Sequence, residues 1–142
     1  MSSNERPQSQ SRHPCASEPV LRAVAMPADA NPSGDIFGGW LLAQMDLAGG
    51  AIASRRARGR VATVAITAMT FRAPVLVGDL VSCYAVVTAV GKSSMTVKVE
   101  SWAQNHNGGP AIMVTEGIFT FVAIGPDRRT RPVPPEACPS EM

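Results

Sequence analysis

Residues 36–54, IFGGWLLAQMDLAGGAIAS, form a nearly unbroken run of apolar and small residues whose only charge is Asp46. Its length and lack of strict alternation predict a helix over roughly 38–55, enclosed by protein because it is apolar on nearly all sides. Ahead of it, PVLRAVAM (19–26) reads as a strand, and Asn31, Pro32, Ser33, Gly34 and Asp35 cluster as a turn. Arg55, Arg56 and Arg58 suit the negative end of the helix, and Gly59 is the expected stop. Beyond it the texture turns to β. VATVAITAMTFR (61–72), LVSCYAVVTAV (80–90), MTVKVESWAQ (95–104) and AIMVTEGIFTFVAI (111–124) read as four long strands. Breaks fall at 73–79, 91–94 and 105–110. One strand, one buried helix and four antiparallel strands make an α+β domain. Its sheet curls over the helix and leaves edges rich in Val and Ile. Such an edge invites pairing, so a homodimer at least is expected, with a two-fold axis bringing parts of two chains to each site.

The 36–54 run is long enough to raise the question of a membrane span. Its glycines, Gln44 and above all the central Asp46 argue against one, since a carboxylate at the bilayer centre is expensive. The 142 residues suit one domain, over 19–124. The polar, Pro/Ser-rich residues 1–18 read as a disordered tail, and the Pro-rich 125–142 as a loose one. Without an apolar signal-peptide core, and with Cys15, Cys83 and Cys138 in no redox or metal spacing, the expected location is the cytoplasm. A net charge of +2 with mixed signs gives no nucleic-acid signature. His13 falls in the tail and His106 in a polar loop, so neither supports a nucleophile–histidine pair. No metal-ligand cluster is apparent, and no metal is expected.

Asp46 therefore carries the first hint of chemistry. An unpaired carboxylate buried in apolar surroundings is costly, so it must reach a polar cleft or be neutralised. Gly38 and Gly39 carry the second. A helix starting there exposes unpaired N–H groups of partial positive charge, and glycines let a ligand oxygen approach the backbone.

The motif Asn31-x-x-Gly34-Asp35-Ile36-Phe37-Gly38-Gly39-Trp40, followed by Gln44-Met45-Asp46, resembles hotdog-fold acyl-CoA thioesterases of the YciA type. The match continues at Arg60-Val61-x-Thr63-Val64, Met69-Thr70-Phe71-x-x-Pro74-Val75-x-Val77-Gly78-Asp79 and Val90-Gly91-Lys92-Ser93-Ser94. It covers roughly residues 20–134. The resemblance implies a hotdog fold, a long central helix wrapped by a curved antiparallel sheet of five to six strands. It implies hydrolysis of acyl-CoA to free acid and CoA. CoA is then part of substrate and product, and no separate cofactor is expected. The catalytic carboxylate falls on Asp46, as general base or nucleophile. Backbone N–H groups from Phe37 to Gly39 would form an oxyanion hole. Asn31 would hydrogen-bond the reacting group or the water, and Thr63 would orient the carboxylate. Lys92, Ser93 and Ser94 would contact CoA, with Trp40 beside the substrate and Arg60 and Arg72 as further phosphate candidates. The family implies a hexamer, a trimer of dimers.

Two alternatives share the fold. A hydratase of 2-enoyl-CoA is suggested by Asp29-x-Asn31-Pro32, but Gly34 stands where that motif needs histidine. A non-catalytic acyl-CoA sensor would keep the pocket, yet Asp46 would only add desolvation cost to a pure binder. Thr67, where relatives often carry an acidic residue, bears on local polar contacts and the small Ala62, Ala65 and Ala68 on tunnel width, both affecting the acyl-length preference rather than the reaction.

Overall fold

The computed structural model describes residues 13–136. In chain order the elements are β1 (Leu21–Val24), a short 3-10 turn (Pro27–Asp29), α1 (Gly38–Ala57), β2 (Val61–Phe71), β3 (Leu80–Val90), β4 (Ser94–Gln104) and β5 (Ile112–Ala123). The strands form one five-stranded sheet in the order β1-β3-β4-β5-β2, every neighbouring pair antiparallel. The sheet is open, with β1 and β2 at its edges. This is the expected α+β layout, at the lower of the two expected strand counts.

Period-two alternation decides which face of the sheet meets the helix. On β4, Met95, Val97, Val99, Ser101 and Ala103 are buried toward α1, whereas Thr96, Lys98, Glu100, Trp102 and Gln104 take the opposite face. From α1, Leu41, Met45, Ala48, Gly49, Ala53 and Ala57 enter the core at helical spacing. Burying a side chain such as Met45 or Phe121 contributes about 1.5–3 kcal/mol. Small residues let the layers approach. A Cβ added at Gly49 would lie 3.1 Å from both the Phe121 ring and Val99.

The helix is not enclosed on all sides. Leu47 is 63% exposed, and Ala43 and Ala51 are exposed with it. One sheet can cover only one side of a helix, so a helix apolar all round needs a second body to bury the rest. The stop also falls one residue early. Arg58, not Gly59, takes the left-handed conformation at φ 55°, and its N–H closes on the carbonyls of Ser54 and Arg55. Its Cβ makes that conformation less favourable than for glycine.

Residues 125–136, expected to be loose, are tied to the domain. Arg131 Nη2 donates to the carbonyl of Ala57, capping the helix, and Arg56 Nη1 donates to that of Pro134. The Val133 N–H bonds the Lys92 carbonyl. At the other end of the chain, the Cys15 N–H donates to Glu100 Oε1 at 2.9 Å, so residues 13–18 lie against the outer face of the sheet. Cys138 and the rest of both expected tails fall outside the described residues.

The β2 edge is exposed over most of its length, with Val64, Ile66 and Phe71 at 56%, 37% and 54%. Two register shifts against β5 and a left-handed Ala68 at φ 50° bend this strand.

Candidate active site

The start of α1 is shaped by the turn before it. Asn31 Oδ1 accepts the N–H groups of Ser33 and Asp35, at 2.9 and 3.2 Å, so this side chain closes an Asx turn. Its amide nitrogen is left as the group able to reach outward. The Ile36 N–H pairs with the Val75 carbonyl, and the Phe37 N–H with that of Asp29. Phe37 therefore cannot serve as an oxyanion donor through its N–H, because that group is already committed. Trp40 and Leu41 both donate back to the Phe37 carbonyl. Gly38 and Gly39 remain as first-turn N–H groups with no acceptor among the described residues. A Cβ on Gly39 would meet nothing within 4 Å, so the space beside it is open. The ring of Phe71 stands over Gly38, 3.5 Å from where a Cβ would sit. Phe71 belongs to the sequence motif, but its place over Gly38, distant in the chain, has no local signal. The Phe37 side chain is 47% exposed at the mouth, while Trp40 is half-buried against the core.

Asp46 lies two turns further along, half-buried on the side of α1 that the sheet leaves open toward β2. Thr63 Oγ1 donates to Asp46 Oδ1 at 2.7 Å. This short charge-assisted bond fixes one carboxylate oxygen and leaves the other with no partner among the described residues. Thr63 can reach because it sits near the start of β2, opposite Phe121 and just before a register shift.

The Lys92–Ser94 turn lies at the other end of the molecule. The Gly91 N–H bonds the Ser94 carbonyl, the Ala123 N–H bonds that of Ser93, and Val133 reaches Lys92. Arg60 is adjacent through its carbonyl, which accepts from Ile124. Lys92 and Arg60 are exposed, and neither has an ion pair among the described residues. Arg72 differs: it is paired with Glu116 at 2.8 Å, so it is not a free cation for phosphate.

The residues selected from sequence thus fall in three separate places, two on the helix and one in the turn between β3 and β4. Gly39 and Asp46 are seven residues apart, about 10 Å of rise, and the Lys92 turn packs beyond the far end of the helix, beside Val133 and the Ile124–Arg60 contact. A reacting carbon must lie about 3 Å from both the activating carboxylate and the oxyanion donors. One chain cannot bring its own Asp46 and its own Gly38 and Gly39 to the same carbon. Among the described residues, a cavity between β1, β3 and β4 and a smaller one beside Ala68 and Glu116 are both lined without Asp46. No helix among the described residues is long and apolar enough to cross a membrane.

A single helix laid on an open antiparallel sheet of this order is the hotdog architecture. Residues 33–109 match the family model of the thioesterase superfamily, and the chain belongs to that superfamily. Among individual proteins it is 47% identical over 120 residues to the acyl-CoA thioester hydrolase YciA of Salmonella typhimurium, covering 82% of this chain and 90% of that one. Its fold superposes with a TM-score of 0.80 on a mutant of a hexameric broad-specificity acyl-coenzyme A thioesterase, at 45% identity over 83% of this chain and 87% of that one. A hexameric hotdog-fold thioesterase of Campylobacter jejuni gives 0.78 at 41% identity, covering 83% and 91%.

Proposed function

We propose that this protein hydrolyses acyl-CoA thioesters to free acid and CoA, with each reaction centre assembled from two chains. The observation that carries the reading is the Thr63–Asp46 hydrogen bond, which orients a half-buried carboxylate on the open side of the helix. Membership of the thioesterase superfamily and the acyl-CoA thioester hydrolase activity for which the relatives are named support the reaction class. Asp46 activates water or attacks the thioester carbonyl itself; both routes use the oxygen that Thr63 leaves unbound. Gly38 and Gly39 of the facing chain supply the two N–H donors that stabilise the oxyanion. Asn31, through its amide nitrogen, positions the water or the acyl oxygen. Lys92 and Arg60 take phosphate oxygens of CoA, with Ser93 and Ser94 beside them, and Phe37 and Trp40 flank the acyl group.

The two-chain requirement follows from the axial separation of Asp46 and Gly39, about 10 Å. It is supported by two exposed apolar surfaces, the β2 edge and the Leu47 side of α1, either side of Thr63 and Asp46. Pairing β2 with a second β2 would cover both. The relatives described as hexameric support a trimer of such dimers.

A hydratase is disfavoured by Gly34. Its φ of +92° lies in a region where a histidine would be strained, and histidine is the residue that motif requires there.

The test is thiol release from a panel of acyl-CoAs, short to long and aromatic, by wild type and Asp46→Asn. The expected result is release by wild type and a loss of about 10²- to 10⁴-fold in the variant, the range of a general base. Near-normal turnover by Asp46→Asn of matched purity and oligomeric state would remove Asp46 from the chemistry. No release by an intact wild-type oligomer would favour the acyl-CoA-binding alternative.

A further inference from the structure

We propose that the outer face of the sheet, away from α1, carries a second binding site that takes a small monocarboxylate. A cavity of ≈ 250 Å³ opens there across β1, β3 and β4. Arg22, Ser82 and Trp102 sit in one cross-strand row, with Tyr84 and Gln104 to either side and Pro14 of the N-terminal segment as a further wall. Two of these side chains are already committed, which makes the walls rigid. Trp102 Nε1 donates to Glu100 Oε1 at 3.0 Å, and Gln104 Nε2 donates to the Gly109 carbonyl at 2.6 Å. The Arg22 guanidinium and the Ser82 and Tyr84 hydroxyls have no partner among the described residues. The cavity therefore presents one planar cation and two hydroxyl donors beside an indole ring.

That set selects charge as well as shape. A guanidinium matches a carboxylate with two parallel hydrogen bonds, and the hydroxyls can complete the remaining lone pairs. The site carries one uncompensated positive charge. Glu100, the cross-strand partner of Tyr84, is buried and already holds Lys98 at 3.4 Å, the Trp102 indole N–H and the Cys15 N–H. A second negative charge on the ligand would find no cation and would face this carboxylate. Trp102 and Leu80 offer apolar surface for a short or aromatic tail. The volume lies below the roughly 300–1,000 Å³ typical of sites for larger ligands. The acid freed by thioester cleavage belongs to this chemical class, so the site can report product; that one link rests on the proposed activity.

Binding is measured without acyl-CoA, which separates failure of this site from failure of the hydrolase reading. Butyrate, benzoate and inorganic phosphate are titrated calorimetrically into the full-length wild-type oligomer, Arg22→Gln, Tyr84→Phe and Asp46→Asn. The carboxylates should bind wild type and Asp46→Asn alike. Arg22→Gln should weaken them by about tenfold or more and Tyr84→Phe by a few-fold, as expected for removing a charged and a neutral donor. Phosphate should bind at least about tenfold more weakly, because its second charge is unmatched. Equal affinity for phosphate, unchanged binding in Arg22→Gln, or loss of binding in Asp46→Asn alone would overturn the proposal. So would wild type that takes up no carboxylate while Arg22→Gln falls apart into smaller oligomers in sedimentation, since the face would then be a subunit contact.

Discussion

Removing one hydroxyl tests the reaction centre more sharply than removing the carboxylate. Thr63→Val keeps the shape and the β-branch, and its site on the exposed β2 tolerates valine. What it loses is the 2.7 Å bond to Asp46 Oδ1. Hydrogen bonds to charged groups are worth about 1.5–3 kcal/mol when buried. Asp46 is half-buried within one chain, so solvent competition reduces this to about 1–2 kcal/mol. If that bond orients the carboxylate in the transition state, kcat should fall by about 5- to 30-fold with KM little changed. Thr63→Ser restores the hydroxyl and should recover to within about threefold of wild type. The decisive arm is the double-mutant cycle. In the Asp46→Asn background, Thr63→Val should change the residual rate by less than about twofold, because the group it positions no longer acts. Initial rates of thiol release across a substrate titration supply all four corners. A Thr63→Val enzyme within twofold of wild type, or a loss of equal size in both backgrounds, would refute the idea that Thr63 works through Asp46.

Three further outcomes are expected. Gly39→Ala meets open space within the chain and should not lower the unfolding temperature, yet a methyl beside the N–H donors should cut kcat/KM by about tenfold or more; a fully active variant would move the oxyanion hole elsewhere. Gly49→Ala pushes a methyl to 3.1 Å from Phe121 and Val99, and urea unfolding should show about 1–3 kcal/mol of destabilisation, with an unchanged midpoint refuting the close helix–sheet contact. Burial pushes the thiols of Cys15 and Cys83 up to about 11, with Glu100 adding to the effect at Cys15. In Cys138→Ser protein, a thiol reagent should therefore label slowly at pH 8, where only about one thiol in a thousand is ionised, and faster by about tenfold per pH unit. The sign for stability follows: the folded state holds these protons more tightly than the unfolded one, so their contribution is complete below pH 9 and is lost as pH rises through about 11. A urea midpoint that does not fall over that range would contradict it.

The sequence alone determined the element order, because periodicity is a local property. The break between the apolar run and the alternating segments marked α1 and the four long strands to within a residue or two, and alternation along β4 assigned each residue to a face. The pairing of Asp46 with a polar partner was also legible, since a lone charge in an apolar run must find one. Tertiary structure decided what depends on residues distant in the chain. It gave the Thr63–Asp46 contact, which the sequence implied only through the family motif, its geometry, committed the Phe37 N–H to Asp29, gave Arg72 to Glu116, and brought residues 125–136 back over the helix end through Arg131. It also buried Glu100, 1% exposed on the outer face of β4, because the N-terminal segment that packs there has no local signature. The spacing of Gly39 and Asp46 was readable from the start, but its meaning was not. Only a rigid helix, with one side on the sheet and the other open, turns seven residues into a distance too long for one chain to bridge alone.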